Sequence, residues 1–193
     1  MRKNKKGEII AATVQLVAQR GVNGASIRRI AEVAGVTEGA LYRHFRSKED
    51  LCQQAYCHIV SDMIAAKEEI AASKADVKTK FEDWVRVSYE YFDRYPDAFT
   101  YVVLIPHDFP SDLEHVISRQ SNLLSQVIAE LASFPDDAMR SLGMGVSHFT
   151  GVMLNVPRLI NEGMLERPAT RYTSEVVGAI WRMFAIDKSP RKN

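Results

Sequence analysis

The sequence predicts an all-α fold, with three short helices at the N terminus and about six longer helices after them. Three observations lead to this prediction. Apolar residues recur three and four positions apart in almost every segment of the 193-residue chain, which is the period of a helix with one buried face. No segment shows the alternation typical of a half-buried strand. Small polar residues and glycines stand where the helical pattern starts and stops.

The first two helices are bounded by residues that favour helix ends. The apolar face of the first helix consists of Ile9, Ala12, Thr13, Leu16 and Val17. Gly21 ends this helix, and the side chain of Ser26 can cap a short second helix by accepting a backbone N–H. Gly35 follows the second helix at the position where a left-handed backbone is usual. The chain is therefore expected to turn sharply after each of these helices.

The third and fourth helices begin at hydroxyl residues. Thr37 caps the third helix, which carries Leu41 and Phe45 on its inner face. Ser47 caps the fourth helix, whose first turn is acidic and so favours the positive end of the helix dipole. We expect the fourth helix to run to about Ser73.

The remaining helices are longer and less sharply bounded. We expect helices over residues 76–95, 113–134, 136–163 and 174–186, with a loop at 106–112. The segment from Pro96 to about residue 106 lies between two of them. The C-terminal tail is polar, so we expect it to be frayed.

Charge is unevenly distributed along the chain. Residues 1–50 contain ten Lys and Arg against five Asp and Glu, whereas residues 51–193 contain fifteen against nineteen. A basic N-terminal part on a mildly acidic remainder favours a polyanionic partner for the N-terminal part alone. Chance asymmetry is the alternative.

Cysteine content and hydropathy indicate the compartment. Cys52 and Cys57 lie five residues apart on a predicted helix, which puts them on different faces and beyond disulfide reach. No signal-peptide pattern follows Met1, and the longest uncharged stretch, residues 141–157, is too polar for a membrane span. We therefore expect a soluble cytoplasmic protein with free thiols.

Residues 26–45 have the pattern of a helix-turn-helix. Two short helices flank a tight turn at Gly35, and in such a unit the start of the second helix enters the DNA major groove. Gly39 and Ala40 at that start would let the backbone approach the base edges. Basic and hydroxyl residues lie farther along, where they can bind phosphate.

The stretch SIRRIAEVAGVTEGALYRHFRSKEDL, residues 26–51, resembles the TetR family of transcriptional regulators. It contains the family's Ile-Ala, Ala-Gly-Val, Gly-x-Leu-Tyr-x-His-Phe and Lys-x-x-Leu elements. The resemblance covers about residues 3–63 and implies a DNA-binding domain there, with a C-terminal ligand-binding and dimerisation domain over 64–187. That second part is similar to the family only in length and helical layout.

The resemblance implies roles in DNA binding for ten residues. Arg28 is expected to bind a guanine, Arg29 the DNA backbone, and Glu38, Gly39 and Ala40 the major groove. Phosphate contacts are expected from Ser26, Thr37, Tyr42, His44 and Lys48. Alternatives remain open: Ser26 and Thr37 as caps alone, Tyr42 in packing, His44 in a hydrogen bond, Lys48 in solvent, and Glu38 as a residue that repels phosphate. Arg2, Lys3, Lys5 and Lys6 are further candidates for backbone or minor-groove contacts.

For the C-terminal domain the resemblance implies an effector pocket and a homodimer interface. The pocket candidates are Phe81, Trp84, Ser88, Phe92, Tyr101, His107, Phe109, Met144, His148 and Phe149. Their apolar character favours an apolar or aromatic effector, although the same residues could form a plain core. The interface candidates are Val146, Val152, Met153, Ile180, Trp181 and Phe184, in two helices from each chain, with filling of a monomer core as the alternative.

Two rival functions remain. An enzyme would need a cluster such as His107, His115 and His148, but their spacing fits neither a metal site nor a catalytic motif. We therefore expect no catalysis, cofactor or metal. A ligand-independent activator or architectural protein of the same fold remains the second alternative. The favoured prediction is a homodimeric repressor released from double-stranded operator DNA by a small molecule.

Overall fold

The computed structural model describes residues 4–107, 109, 113–131 and 138–185. Within these residues the chain forms nine α-helices and no strand, which confirms the all-α prediction. The helices are α1 (Lys5–Gly24), α2 (Ile27–Val33), α3 (Glu38–Tyr42), α4 (Lys48–Ala72), α5 (Val77–Arg94), α6 (Pro96–Phe99), α7 (Glu114–Ala129), α8 (Ala138–Asn161) and α9 (Thr173–Ala185). A π-helical turn, Thr100–Leu104, follows α6, and a 3₁₀ turn, Ala169–Tyr172, precedes α9. No described helix is long and apolar enough to cross a membrane.

The helix starts in the first third of the chain follow the predicted capping residues. Each of three hydroxyl oxygens accepts a backbone N–H three residues later: Ser26 from Arg29 at 3.3 Å, Thr37 from Ala40 at 3.1 Å, and Ser47 from Asp50 at 3.2 Å. Gly21 interrupts α1 with a φ of 72°, and Gly35 has a φ of 62° after α2. Side chains with a Cβ rarely adopt this backbone, so both glycines are required at these turns.

Later helix ends differ from the prediction. The helix predicted over 113–134 ends at Ala129. The N–H groups of Glu130 and Leu131 donate to the carbonyls three residues earlier, at 3.3 and 3.0 Å, and such tightened bonds close the last turn of a helix. The 3₁₀ turn before α9 was not predicted.

The chain divides into two compact units. The N-terminal unit contains Met1–Asp62 and Tyr95–Leu113, and the C-terminal unit contains Met63–Arg94 and Glu114–Asn193. The first division lies one residue before the boundary predicted at 63/64. However, α6 and the π-helical turn, which the sequence assigned to the C-terminal domain, pack against α1 in the N-terminal unit. The domain boundaries predicted from the sequence, 3–63 and 64–187, therefore remain a prediction.

Each unit has its own buried core. In the N-terminal unit, α1, α2 and α3 bury Ile9, Val17, Ile30, Leu41 and Phe45 completely or almost completely. The Tyr101 hydroxyl donates to the carbonyl of Cys52 at 2.8 Å and so ties the π-helical turn to α4. Both cysteines are free thiols, as predicted.

In the C-terminal unit the core forms around α5. Phe81 is fully buried and packs edge-on against Phe149 of α8, with a centroid distance of 4.9 Å. The ring of Phe184 of α9 lies at a tilt to Phe81, with a centroid distance of 5.3 Å. The Tyr89 hydroxyl donates to the carbonyl of Met153 at 2.8 Å. These contacts join helices that are far apart in sequence.

Candidate nucleic-acid interface and effector region

The turn between α2 and α3 is fixed by backbone contacts and by small residues. Ala31 is buried, and its carbonyl accepts the N–H of Val36 at 3.0 Å. Gly35 supplies the left-handed residue between them. Leu41 and Phe45 are buried beneath α3, so the opposite face of α3 is the one available to a partner.

Most of the residues predicted to bind DNA, on α3 and on the preceding α2 segment, are exposed. Eight of the ten predicted DNA-binding residues are exposed: Ser26, Arg28, Arg29, Thr37, Glu38, Gly39, Tyr42 and His44. Ala40 is half-buried, and Tyr42 is 52% exposed although it is a large aromatic residue. Within the described residues, no carboxylate forms an ion pair with Arg28 or Arg29. Their charges are therefore available to an external anion.

Gly39 has no structural requirement to be a glycine. A Cβ added to it would meet no described atom within 4 Å, and its backbone is not left-handed. A glycine in a helix is less stable than an alanine by about 0.5–1 kcal/mol. The fold of the described residues therefore gives no reason for a glycine in the first turn of α3.

The remaining basic residues of the N-terminal unit are partly engaged within it. The Lys48 ammonium donates to the carbonyl of Val22 at 2.5 Å and so connects the start of α4 to the end of α1. An ammonium has three donors, so this contact leaves capacity for a phosphate. Lys5 pairs with Glu8 at 2.7 Å, and Lys6 lies 5.7 Å from the Phe45 ring centroid. Arg2 and Lys3 lie outside the described residues.

Three of the predicted pocket residues lie in the N-terminal unit and form an aromatic cluster. The His107 ring stacks on Phe109 with a centroid distance of 4.7 Å and a tilt of 8°, and it lies 4.7 Å from the Tyr101 ring. Tyr56 of α4 packs edge-on against His107 and Phe109, although the sequence did not single it out. Burial lowers the pKa of His107, so its neutral form is favoured in this cluster.

The other seven predicted pocket residues lie in the C-terminal unit, with two kinds of environment. Phe81, Trp84, Ser88, Phe92 and Phe149 are buried, whereas Met144 and His148 are exposed, Met144 by 50%. The buried members Trp84 and Ser88 lie one turn apart on α5. A shared pocket for all ten residues remains a prediction.

A buried lysine that the sequence analysis missed lies next to Trp84. Lys67 of α4 is only 3% exposed, and its ammonium lies 5.2 Å from the centroid of the Trp84 ring. The ammonium donates to the side-chain oxygen of Gln120 at 2.5 Å. The signal was present in the sequence, because Lys67 follows Ile64 by three residues and Met63 by four on the apolar face of α4.

The N-terminal part of the chain is similar in sequence to a family of known proteins. Residues 9–55 match the sequence profile of a family described as "Bacterial regulatory proteins, tetR family". The chain is 30% identical over 146 residues to the HTH-type transcriptional repressor KstR2 of Rhodococcus jostii (strain RHA1), which is 75% of this chain and 64% of that repressor. The chain belongs to the TetR family.

A second relative matches the N-terminal part of this TetR-family chain to a similar degree. The chain is 32% identical over 79 residues to the fatty acid metabolism regulator protein of Bacillus subtilis (strain 168), which is 41% of each protein. The chain therefore spans less than two thirds of the length of these two curated relatives.

The TetR-family fold extends over most of the chain. The crystal structure of FadR from Bacillus subtilis in complex with stearoyl-CoA is similar with a TM-score of 0.71 and 18% identity, covering 90% of this chain and 96% of that chain. At this level of identity the likeness concerns the fold alone.

The predicted dimer residues of this TetR-family chain differ in exposure. Met153 and Ile180 are buried within the single chain, whereas Val146, Val152, Trp181 and Phe184 are half-buried. Gly145 allows close packing inside the chain, because an added Cβ would lie 3.2 Å from both Ile128 and Phe184. Gly143 and Gly151 have open space at the Cβ position. If a dimer forms, its contacts must therefore come mainly from the half-buried and open positions of α8 and α9.

The sequence named His107, His115 and His148 as the cluster that an enzyme would need. No set of three His, Cys, Asp or Glu side chains there is arranged to hold a metal ion. His107 is engaged with the carbonyl of Tyr101 at 2.5 Å.

Proposed function

We propose that this chain is a homodimeric cytoplasmic repressor that binds operator DNA through α3 and is released by a small molecule, and that it is not an enzyme. One observation carries the proposal. The first turn of α3 contains Gly39, which the fold does not require to be a glycine, and α2 carries two exposed arginines, Arg28 and Arg29, that no described carboxylate pairs with. The family membership supports the same function.

The predicted DNA-binding residues divide into two roles. Arg28 is proposed to bind a guanine through two hydrogen bonds, and Ala40 to contact a thymine methyl group. Glu38 accepts from a cytosine amino group or excludes other sequences by repulsion. Tyr42, His44 and the remaining hydroxyl and basic groups bind phosphate and fix the register.

Dimerisation supplies the spacing between two recognition helices. A two-fold dimer places them in successive major grooves, about 34–36 Å apart. The effector is proposed to favour a separation that does not fit this spacing. A roughly 100-fold release requires a coupling free energy of about 2.7 kcal/mol, which is within the usual allosteric range.

The effector is proposed to be an apolar or aromatic molecule bound by the C-terminal unit. The buried aromatic residues of α5 support this class, since such residues line most small-molecule sites. The names of two related proteins add a narrower candidate. One relative is called a fatty acid metabolism regulator, and the similar FadR structure contains stearoyl-CoA. Molecules with an acyl chain are therefore the first class to test.

The direct test is a selection of bound fragments from the source genome's own DNA, followed by titration at two salt concentrations. A short palindrome bound by a dimer, with a salt slope that corresponds to several phosphate contacts, is the expected result. Arg28→Ala should lower affinity for the selected site by about 10-fold or more, because a bidentate base contact contributes about 1–3 kcal/mol. Arg86→Ala, which removes the same charge from an exposed position of α5, is the matched control. No enrichment above non-specific binding would contradict the proposal.

A further inference from the structure

Two buried lysines of the C-terminal unit have different partners. Lys80 is 2% exposed; its ammonium lies 2.7 and 2.9 Å from the two carboxylate oxygens of Glu130 and 3.1 Å from the carbonyl of Ala71. Lys67 is 3% exposed, and among the described residues its ammonium has one hydrogen-bond partner, the neutral side chain of Gln120, and one aromatic partner, the Trp84 ring. Buried charges in proteins are ordinarily paired. Lys67 is therefore the exception that needs an explanation.

The surroundings of Lys67 provide no fixed negative charge. Within the described part of the chain no carboxylate lies within ion-pair distance of its ammonium. The neighbouring carboxylate, Glu68, is engaged by Arg119 on the exposed side of α4 and α7. Burial lowers the pKa of Lys67 to about 7, so about half of the lysines would be charged at neutral pH. A carboxylate brought to this position would restore the full charge.

A buried polar group without a described hydrogen-bond partner lies on α5, one helical turn after Trp84. Ser88 is 1% exposed, and its hydroxyl has no hydrogen-bond partner among the described residues. Two contacts show that α4 and α5 run antiparallel. Lys80 near the start of α5 bonds to Ala71 at the end of α4. Trp84, one turn farther along α5, faces Lys67, one turn back along α4. Ser88 follows Trp84 by one further turn on the same face. Both buried groups are therefore placed relative to Trp84: the Lys67 ammonium contacts its ring from α4, and Ser88 lies one turn after it on α5.

The geometry points to an anion-anchoring subsite in the C-terminal unit, in which Lys67 and Ser88 hold the carboxylate of an otherwise apolar effector beside Trp84. The inference rests on the proposed function, since it names the chemical class of the effector. The ammonium donates to one carboxylate oxygen and the hydroxyl to the other, as charge-assisted hydrogen bonds. Gln120 holds the lysine in place, and the apolar part of the molecule packs against the buried aromatic residues of α5.

This arrangement gives specificity because the buried Lys67 ammonium lacks a counter-ion among the described residues. A neutral ligand would leave the ammonium without a counter-ion, whereas a carboxylate would complete it. A site built to pair a buried polar group rejects analogues that lack the matching group. An uncharged analogue of the same size and shape is therefore expected to bind much more weakly.

The test is direct binding to the full-length protein, without DNA, by titration calorimetry at pH 6.5. The probes are decanoate, palmitate, phenylacetate and 2-naphthoate, each compared with its primary amide. At least one acid should bind 10-fold or more tightly than its amide. Lys67→Met removes the cation and Gln120→Glu supplies an internal carboxylate, so each should reduce that ratio to about one.

Lys80→Met is the matched control, because it removes a buried lysine that already has its own carboxylate. It should leave the ratio of acid to amide affinity unchanged. Melting curves establish that each variant is folded. If Lys80→Met does not fold, Arg86→Gln, which removes an exposed positive charge from α5, replaces it.

The inference is overturned if the acids bind no better than the amides, if none binds, or if the preference persists in Lys67→Met. Failure of the proposed function has a different signature. If an amide of the panel releases the selected operator, ligand-controlled DNA binding holds while the role of Lys67 fails. If no operator is selected at all, the proposed function fails whatever the calorimetry shows.

Discussion

The α2–α3 segment and the core around α5 use their residues in opposite ways. In the α2–α3 segment the residues assigned to function are exposed, and their positions follow from caps and a turn within a few residues. Around α5 the candidate residues are buried, and their partners come from other helices. Changes in the first region should therefore alter DNA affinity with small effects on stability, whereas changes in the second should alter the stability of the protein.

The largest effect is expected from Phe81→Ala. Phe81 is fully buried against Phe149, Trp181 and Phe184, and truncation of such a residue lowers the free energy of unfolding by about 3–5 kcal/mol. Urea unfolding measures this change. Phe81→Leu retains most of the volume and should lose less than half as much. Losses of equal size in the two variants would show that the aromatic contacts, and not the volume, determine the stability.

The second effect is a gain in stability from Lys67→Met. A buried charge without a counter-ion is unfavourable, and replacing it with an apolar side chain of similar length should stabilise the protein by about 2 kcal/mol at pH 6. The pH dependence has a definite sign. The folded-state pKa of about 7 lies below the ordinary lysine value, so the unfolded chain binds more protons above pH 7 and stability rises with pH from there.

Lys67→Met should remove that rise, as measured by urea unfolding at pH 6 and pH 9. Lys67 lies among helices that are also joined by the ion pairs Glu68–Arg119 and Lys80–Glu130. An unchanged pH slope in the variant would mean that another group titrates there. A variant that is more stable yet has lost its preference for acids would show that Lys67 is retained for binding at the expense of stability.

The same contrast decides how much the sequence could predict. Ser26, Thr37 and Ser47 bond to residues three positions away, so their roles follow from local patterns. The contact of Lys67 with Gln120 joins positions 53 residues apart, and that of Tyr89 with Met153 joins positions 64 apart. Such pairs depend on how helices pack, which the periodicity of each helix does not specify.

The candidate pocket shows where prediction from the sequence alone fails. The sequence predicts one pocket from aromatic residues at helical spacing. The structure divides these residues between the two units, and Tyr101, His107 and Phe109 pack with α4 in the N-terminal unit. The π-helical turn that contains Tyr101 packs against α1, a contact across about 90 residues that no local pattern signals. The DNA-binding residues were easier to assign because their motif is continuous in sequence.

Gly39→Ala tests the α2–α3 segment with the smallest possible change. The added methyl group meets no described atom, and an alanine is the better helix former, so stability should be unchanged or rise by up to about 1 kcal/mol. Affinity for the selected operator should nevertheless fall by about 10-fold, because the methyl group occupies the space needed for the base edge. Gly35→Ala is the contrasting change: its φ of 62° makes it destabilising by about 1 kcal/mol. Undiminished operator affinity in Gly39→Ala would show that α3 does not approach DNA through its first turn.

The smallest effect is expected at Thr37. Substitutions there can separate the capping of α3 from phosphate binding by the same hydroxyl oxygen. Its hydroxyl oxygen caps α3 at 3.1 Å from the N–H of Ala40, and loss of a cap in Thr37→Ala costs about 1 kcal/mol. Thr37→Asp keeps the cap, because a carboxylate oxygen accepts the same N–H, but it places a negative charge where a phosphate is expected. Urea unfolding should therefore distinguish Ala from Asp, whereas operator affinity should fall in both and farther in Asp. Equal operator affinity for Thr37→Asp and the original chain would reduce Thr37 to a cap alone, and the phosphate contacts would then have to come from Tyr42, His44 and the basic residues.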